Sequence, residues 1–214
     1  MALQFTTSYL EDSHRLFRYY KELAEGALNQ VTDEQMYALL DEDANSIAVV
    51  MKHMAGNMKS RWTHFLSEDG EKPWRNRDTE FEHPPATRQA LLQLWEEGWA
   101  CVFVALKSLT DADLGQTVTI RGESHSIMQA INRQIAHYSY HCGQIVLLAK
   151  HFQHAQWKSL TVPPGQVGGI QRESKGRPSQ STVEMFFAAA EQRCFTLIFH
   201  LHPRKLQEFY APIN

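Results

Sequence analysis

Between Ser126 and about Phe152, apolar residues fall at every third or fourth position, the period of a helix that buries one face. Ile127, Ile131, Ile135, Tyr138, Ile145 and Leu148 mark that face, with Gln134 and His141 set among them. A helix of this length must lay its apolar stripe against other elements. Three further segments share the period, and no set of alternating segments able to make a full sheet accompanies them. The expected fold is therefore all-α, a four-helix bundle.

The first of these helices is predicted from about Tyr9 to Asn29, with Leu16, Tyr19, Tyr20, Leu23, Ala24, Ala27 and Leu28 on its apolar side. VTDEQ reads as a turn, and a short helix fits 34–40. Ser46 is a good N-cap for the next, which the pattern extends to about Leu66 and which buries Ile47, Val50, Met54 and Met58. Gly56 inside it costs about 1 kcal/mol relative to Ala, so it is expected to mark the close approach of another backbone. Thr87 caps a third helix to about Leu109, carrying Leu91, Leu94, Trp95, Trp99, Val102 and Leu106. The intervening residues 67–86 are polar, turn-rich and charged in both signs. A connection that long is uncommon within a compact domain and signals function or a crossover. Gly115 to Glu123 alternates as a short strand or hairpin.

At Val162-Pro163-Pro164-Gly165 the character changes, and 166–182 is rich in Gly, Ser and Arg. The reading is a bundle domain over 1–165 and an atypical extension over 166–214, with a helix at 182–194 and a strand at 195–205. The formal net charge of −3 gives no general attraction to nucleic acid or to an anionic membrane. No apolar run approaches the roughly 20 residues of a membrane span, and the start has no basic segment followed by an apolar one. With 3 scattered cysteines, too few for a disulfide framework, a cytoplasmic setting is expected.

The 11 histidines are more than this length leads one to expect, and their placement matters. His137 and His141 stand one turn apart on the last helix, where both imidazoles can reach a single metal. On spacing alone, a half-buried polar face explains the pair equally well. His53 shifts the balance. It sits mid-helix in MKHMAGNM, on or beside the stripe that faces the core, and a buried imidazole needs a partner. Facing helices of a bundle are where metal sites are built. Three protein ligands leave a coordination position open, the catalytic arrangement, whereas structural zinc sites are closed by four.

HMAGN in the second long helix with HYSYHCGQI in the last resembles the DinB-like superfamily of four-helix-bundle proteins, over roughly residues 5–165. The stretch from Ser46 to Phe81 is similar to a bacterial branch of uncharacterised function related to bacillithiol S-transferases. The resemblance implies an up-down-down-up path, with 67–86 as the crossover, and a homodimer. It places one divalent ion, nickel or zinc, on His53, His137 and His141. It also implies a low-molecular-weight thiol as co-substrate alongside a small-molecule electrophile. A metal held by three neutral imidazoles keeps its double charge and acidifies a bound water or thiol. The function expected is therefore a metal-dependent thiol transferase. A non-catalytic metal-binding bundle and a hydrolase that activates water remain as alternatives.

Around these histidines, Asn57 lies one turn after His53 and is a candidate to contact a cofactor, or else a polar contact within the bundle. Arg61, with Trp62, Trp74, Arg75 and Arg77, is a candidate to bind an anionic thiol cofactor; an exposed loop of mixed charge is the plainer reading. Gln134 reads as a solvent-facing amide more than as a partner of His137, and Tyr138 as core more than as an acid; Tyr140 is a candidate acid. Cys142 points about 100° away from His141 on a helix and is not expected to be a ligand. His64, His83, His125, His151 and His154 read as surface residues. His200 and His202 form an HxH pair in the extension, which is expected to carry no site.

Overall fold

The computed structural model describes residues 3–161, so the extension, its expected helix and strand, the boundary at 165 and the His200/His202 pair lie outside the described residues. Helix α1 runs over Tyr9–Leu28, α2 over Asp33–Tyr37, α3 over Ile47–Trp62 and α4 over Arg88–Lys107. Strands β1 (Thr117–Ile120) and β2 (Glu123–Ser126) form a hairpin, and α5 spans Ile127–Gln153. The described residues are thus mostly helical, with one small two-stranded sheet.

Each long helix starts where a hydroxyl can satisfy its free amides. Ser8, Ser46, Thr87 and Ser126 each accept a hydrogen bond from the backbone three residues on. Ser126 and Gln129 complete a capping box, which fixes the start of α5 directly after β2. In the hairpin, Thr117 pairs with Ser126 and Ile120 with Glu123, and Val118 and Ile120 face inward. Its two-residue turn uses Arg121 and Gly122, both at positive φ, the backbone a tight hairpin demands.

The long helices α1 and α5 pack together, as do α3 and α4; α5 also meets α3, and α1 meets α4. Their common core is aromatic and draws one ring from each. Phe17 of α1 contacts Trp62 of α3 and Tyr138 of α5, with ring centroids 5.7 Å apart in both cases. Trp99 of α4 closes the group at 5.6 Å from Tyr138. Offset and edge-on contacts of this kind add on the order of 1 kcal/mol each beyond burial. The close packing of α3 on α4 depends on Gly98, where a Cβ would lie 3.0 Å from the Ala55 Cα.

Several expectations need correction. The second long helix stops at Trp62, with Thr63 extended, rather than near Leu66. The buried face of α1 is centred on Ser13, Phe17, Ala24, Ala27 and Leu28, whereas Leu16, Tyr19, Tyr20 and Leu23 flank it half-buried. Leu94 and Ile135 are likewise half-buried. The nearest neighbours of a Cβ at Gly56 are atoms of the Glu80 side chain rather than another backbone.

The connection between α3 and α4, residues 63–87, is fastened along α3. Ser60 Oγ donates to the Gly70 carbonyl at 2.7 Å and accepts from the Lys72 amide at 3.2 Å. Gly70 N donates to Thr119 O at 2.8 Å, and Asp69 accepts from the amides of Arg121 and Gly122, so this connection is also tied to the hairpin. Further on, Lys52 Nζ reaches the carbonyls of Thr79, Glu82 and His83. That anchor holds a short 3-10 turn, Asp78–Phe81, against the middle of α3.

Candidate metal centre

His53 projects from α3 and is 4% exposed; His141, on α5, is 9% exposed. His137, one turn before His141, is half-buried. Their Nε2 atoms converge. His137 Nε2 lies 3.3 Å from His53 Nε2 and 3.1 Å from His141 Nε2. One ligand nitrogen from each ring lies within 4.8 Å of the others, so the three could hold one ion. Bonds of about 2.0–2.1 Å at a tetrahedral angle place two nitrogens roughly 3.3 Å apart, which matches the separations of His137 Nε2 from the other two.

The outer ring nitrogens reveal which faces carry lone pairs. His53 Nδ1 lies 2.9 Å from Glu80 Oε2, and a carboxylate can only accept, so the proton sits on Nδ1. His141 Nδ1 lies 2.7 Å from Gln144 Oε1, whose amide nitrogen donates to Tyr140 Oη at 3.1 Å. With all rings neutral, His53 and His141 therefore both present a bare Nε2 to the centre. His137 can donate one N–H to one of them, which leaves the other lone pair facing nitrogen. Its own Nδ1 is buried without a hydrogen-bond partner. A divalent cation would satisfy all three Nε2 atoms at once. Burial and the neighbouring His141 and His53 push the pKa of His137 down to about 3. Burial and His53 also lower that of His141, against the hydrogen bond to Gln144. Neutral imidazoles are what a metal requires.

The model of a family described as "Protein of unknown function (DUF1572)", a DinB-like family, matches residues 4–166. The chain belongs to that family. No curated protein and no solved structure matches it.

In this DUF1572 chain, Glu80, Arg75 and Gln144 join the site without having been anticipated in these roles. Glu80 accepts from Arg75 Nε at 2.8 Å and from Nη2 at 2.9 Å, as well as from His53. Burial raises the Glu80 carboxyl, but the hydrogen bonds from His53 and Arg75 and the charge of Arg75 outweigh it and hold the pKa below the usual value. Phe81 stacks on His53 with centroids 4.6 Å apart, and Tyr140 lies edge-on to His141 at 4.9 Å. Both aromatics are exposed and border the histidines on the solvent side. The one sequence signal for Glu80 was Gly56: a Cβ there would fall 2.4 Å from Glu80 Oε1.

The other candidates occupy distinct places. Asn57 is buried below the histidines, its Oδ1 accepting from Tyr138 Oη at 3.1 Å, while that hydroxyl accepts from Trp62 Nε1 at 3.0 Å. Arg61 is 4% exposed; its Nη1 donates to the Gly70 carbonyl and its Nη2 to Glu71 at 3.1 Å. Tyr138 is fully buried core. Trp74 and Arg77 are exposed, whereas the Arg75 side chain is only 1% exposed. Gln134 is buried at 3% exposure, not solvent-facing, and its Oε1 has no hydrogen-bond partner. Cys142 is fully buried, and burial pushes its thiol pKa far up. His64, His83, His151 and His154 are exposed, and His125 is half-buried.

Proposed function

We propose that this protein binds one divalent metal ion through His53, His137 and His141 and uses the remaining coordination position to activate a low-molecular-weight thiol for transfer to an electrophile. The observation that carries the metal reading is the meeting of three Nε2 atoms that a single shared proton cannot satisfy. The donor set fits: three nitrogens suit nickel or zinc, and no fourth protein ligand joins the cluster among the described residues. Bound there, such an ion supplies Lewis-acid chemistry, lowering the pKa of a thiol or water at the open position.

The chain's own residues would act around it. Glu80 and Gln144 keep the protons of His53 and His141 on their outer nitrogens. Phe81 and Tyr140 border the opening with aromatic surface suited to an apolar portion of a small substrate. Transfer would form a bond from the thiol sulfur to the electrophilic carbon as the S–H proton passes to solvent. The bond broken at that carbon would release its electron pair to a departing group, or to the neighbouring atom of an opened ring or double bond, which then takes up a proton. The thiol step rests on the DinB-like membership and the resemblance to bacillithiol S-transferases, an argument by analogy. The same resemblance supports a four-helix bundle with an up-down-down-up path over 1–165, and a homodimer that light scattering would test.

Metal analysis of the purified full chain, followed by a conjugation screen of several thiols against common electrophiles, tests both parts. One nickel or zinc per chain, with turnover that His137→Ala abolishes, is the expected result. A chain that takes up no divalent ion refutes the metal reading. Bound metal with no thiol turnover refutes the transferase. In that case, ester or amide hydrolysis would favour water activation. A melting temperature that falls on chelation without any turnover would favour a non-catalytic role.

A further inference from the structure

We infer that Glu80 is a positioning residue of the metal centre: clamped by Arg75, it aims His53 Nε2 at the ion, so the crossover is a working part of the site. The inference rests on the metal reading above.

Three independent features converge on the Glu80 carboxylate. It takes two guanidinium hydrogen bonds from Arg75, at 2.8 and 2.9 Å, and one from His53 Nδ1 at 2.9 Å. The Glu80 and Arg75 side chains are 7% and 1% exposed. A two-pronged guanidinium fixes both the position and the plane of a carboxylate. The α3 helix, for its part, carries no side chain at Gly56, where a Cβ would sit 2.4 Å from Glu80 Oε1 and 3.0 Å from its Cδ. Finally, Lys52, the residue before His53, grips the carbonyls on either side of Glu80 through Thr79 and Glu82.

His53 is thereby held on two sides: Glu80 at its Nδ1 edge and Phe81 stacked on its face at an interplanar angle of 27°. A neutral acceptor would suffice to satisfy one N–H. A buried carboxylate that needs its own arginine is costly to place and makes sense where it also raises the basicity of the ring's other nitrogen. The plainer alternative is an ion pair that merely pins the crossover. The two differ in what they predict for the ion. A pin affects folding alone, whereas a positioning carboxylate affects affinity and ligand field.

The test uses the full chain and cobalt(II) as the probe, with affinity from chelator competition, the visible d–d spectrum, and the melting temperature of the metal-free protein. Glu80→Ala is expected to bind cobalt about 10–100-fold more weakly, with an altered d–d spectrum. Glu80→Gln keeps an acceptor oxygen and should lose only a few-fold, a partial rescue. Gly56→Ala changes no histidine and no charge, yet must displace the carboxylate, and should reproduce the Glu80→Ala loss. Wild-type affinity and spectrum in Glu80→Ala, even with a lowered melting temperature, would overturn the inference while leaving the metal reading intact. If Glu80→Ala does not fold, the comparison of Glu80→Gln and Gly56→Ala with wild type decides, and no change in either overturns it. Failure of the wild-type chain to bind cobalt removes the metal reading itself, a distinct outcome.

Discussion

His53 Nε2 on α3 and His137 Nε2 on α5 lie 3.3 Å apart although 84 positions separate them in the chain. An ion between them would tie the two helices together and would bind the folded state in preference to the unfolded one. Saturating nickel or zinc should therefore raise the melting temperature. At a hundredfold excess over Kd the gain is about 2.7 kcal/mol. The His53→Ala protein should show little of this shift by calorimetry; an equal shift in that variant would mean the ion binds elsewhere.

Tyr138→Phe removes the hydroxyl that links Trp62 Nε1 to Asn57 Oδ1 in the core. Two buried polar groups are then left without that partner, which costs about 1–3 kcal/mol. Urea denaturation followed by tryptophan fluorescence should show a lower midpoint with an unchanged slope. A midpoint equal to that of wild type would show that the hydroxyl contributes no net stability.

Gly98→Ala sets two effects against each other. Alanine favours a helix by about 1 kcal/mol over glycine. Its Cβ, however, would meet the Ala55 Cα at 3.0 Å and Met58 Sδ at 3.1 Å, and the first is backbone that cannot swing aside. Overpacking of this kind costs about 1–3 kcal/mol, so a net destabilisation is expected by chemical denaturation. A more stable variant would show that α3 and α4 can separate slightly at no cost.

Metal-free protein should lose stability as the pH falls below neutrality. His137 titrates near 6.5 when unfolded but at about 3 when folded, because burial and the adjacent histidines penalise its charged form. Between those values the unfolded chain binds the extra proton, so stability rises with pH there, at up to about 1.4 kcal/mol per unit for one site. Glu71 and Glu80 act in the same direction further down, since their folded pKa values lie below the unfolded ones. Denaturation midpoints from pH 7 to pH 4 give the sign; a flat profile would contradict the burial of His137.

The starts of the long helices were legible from local chemistry alone. Ser46, Thr87 and Ser126 were readable as caps because the cap hydrogen bond spans only three residues, and the apolar periods followed. The histidine pair on α5 was readable for the same reason, since helix geometry fixes which residues share a face. The end of α3 was less clear, because the apolar pattern runs on past Trp62 while the chain turns away to dock the α3–α4 connection on Ser60 and Arg61.

Glu80 shows the boundary most sharply. It is 27 positions from His53, in a polar stretch with acids and bases of similar appearance on every side, and no local period distinguishes it from Glu71 or Glu82. Its role follows from which side chain Gly56 leaves room for and where Lys52 holds the loop, and both are contacts across space. The helical segments, the caps at Ser46, Thr87 and Ser126, and the three imidazoles on two of the helices follow from residue order, because each depends on neighbours within a turn or two. The distances between their nitrogens, the protons on the outer nitrogens of His53 and His141, and the carboxylate behind His53 come from the packed fold. Those depend on packing between segments, and helical periodicity carries no information about which loop residue a helix face will meet.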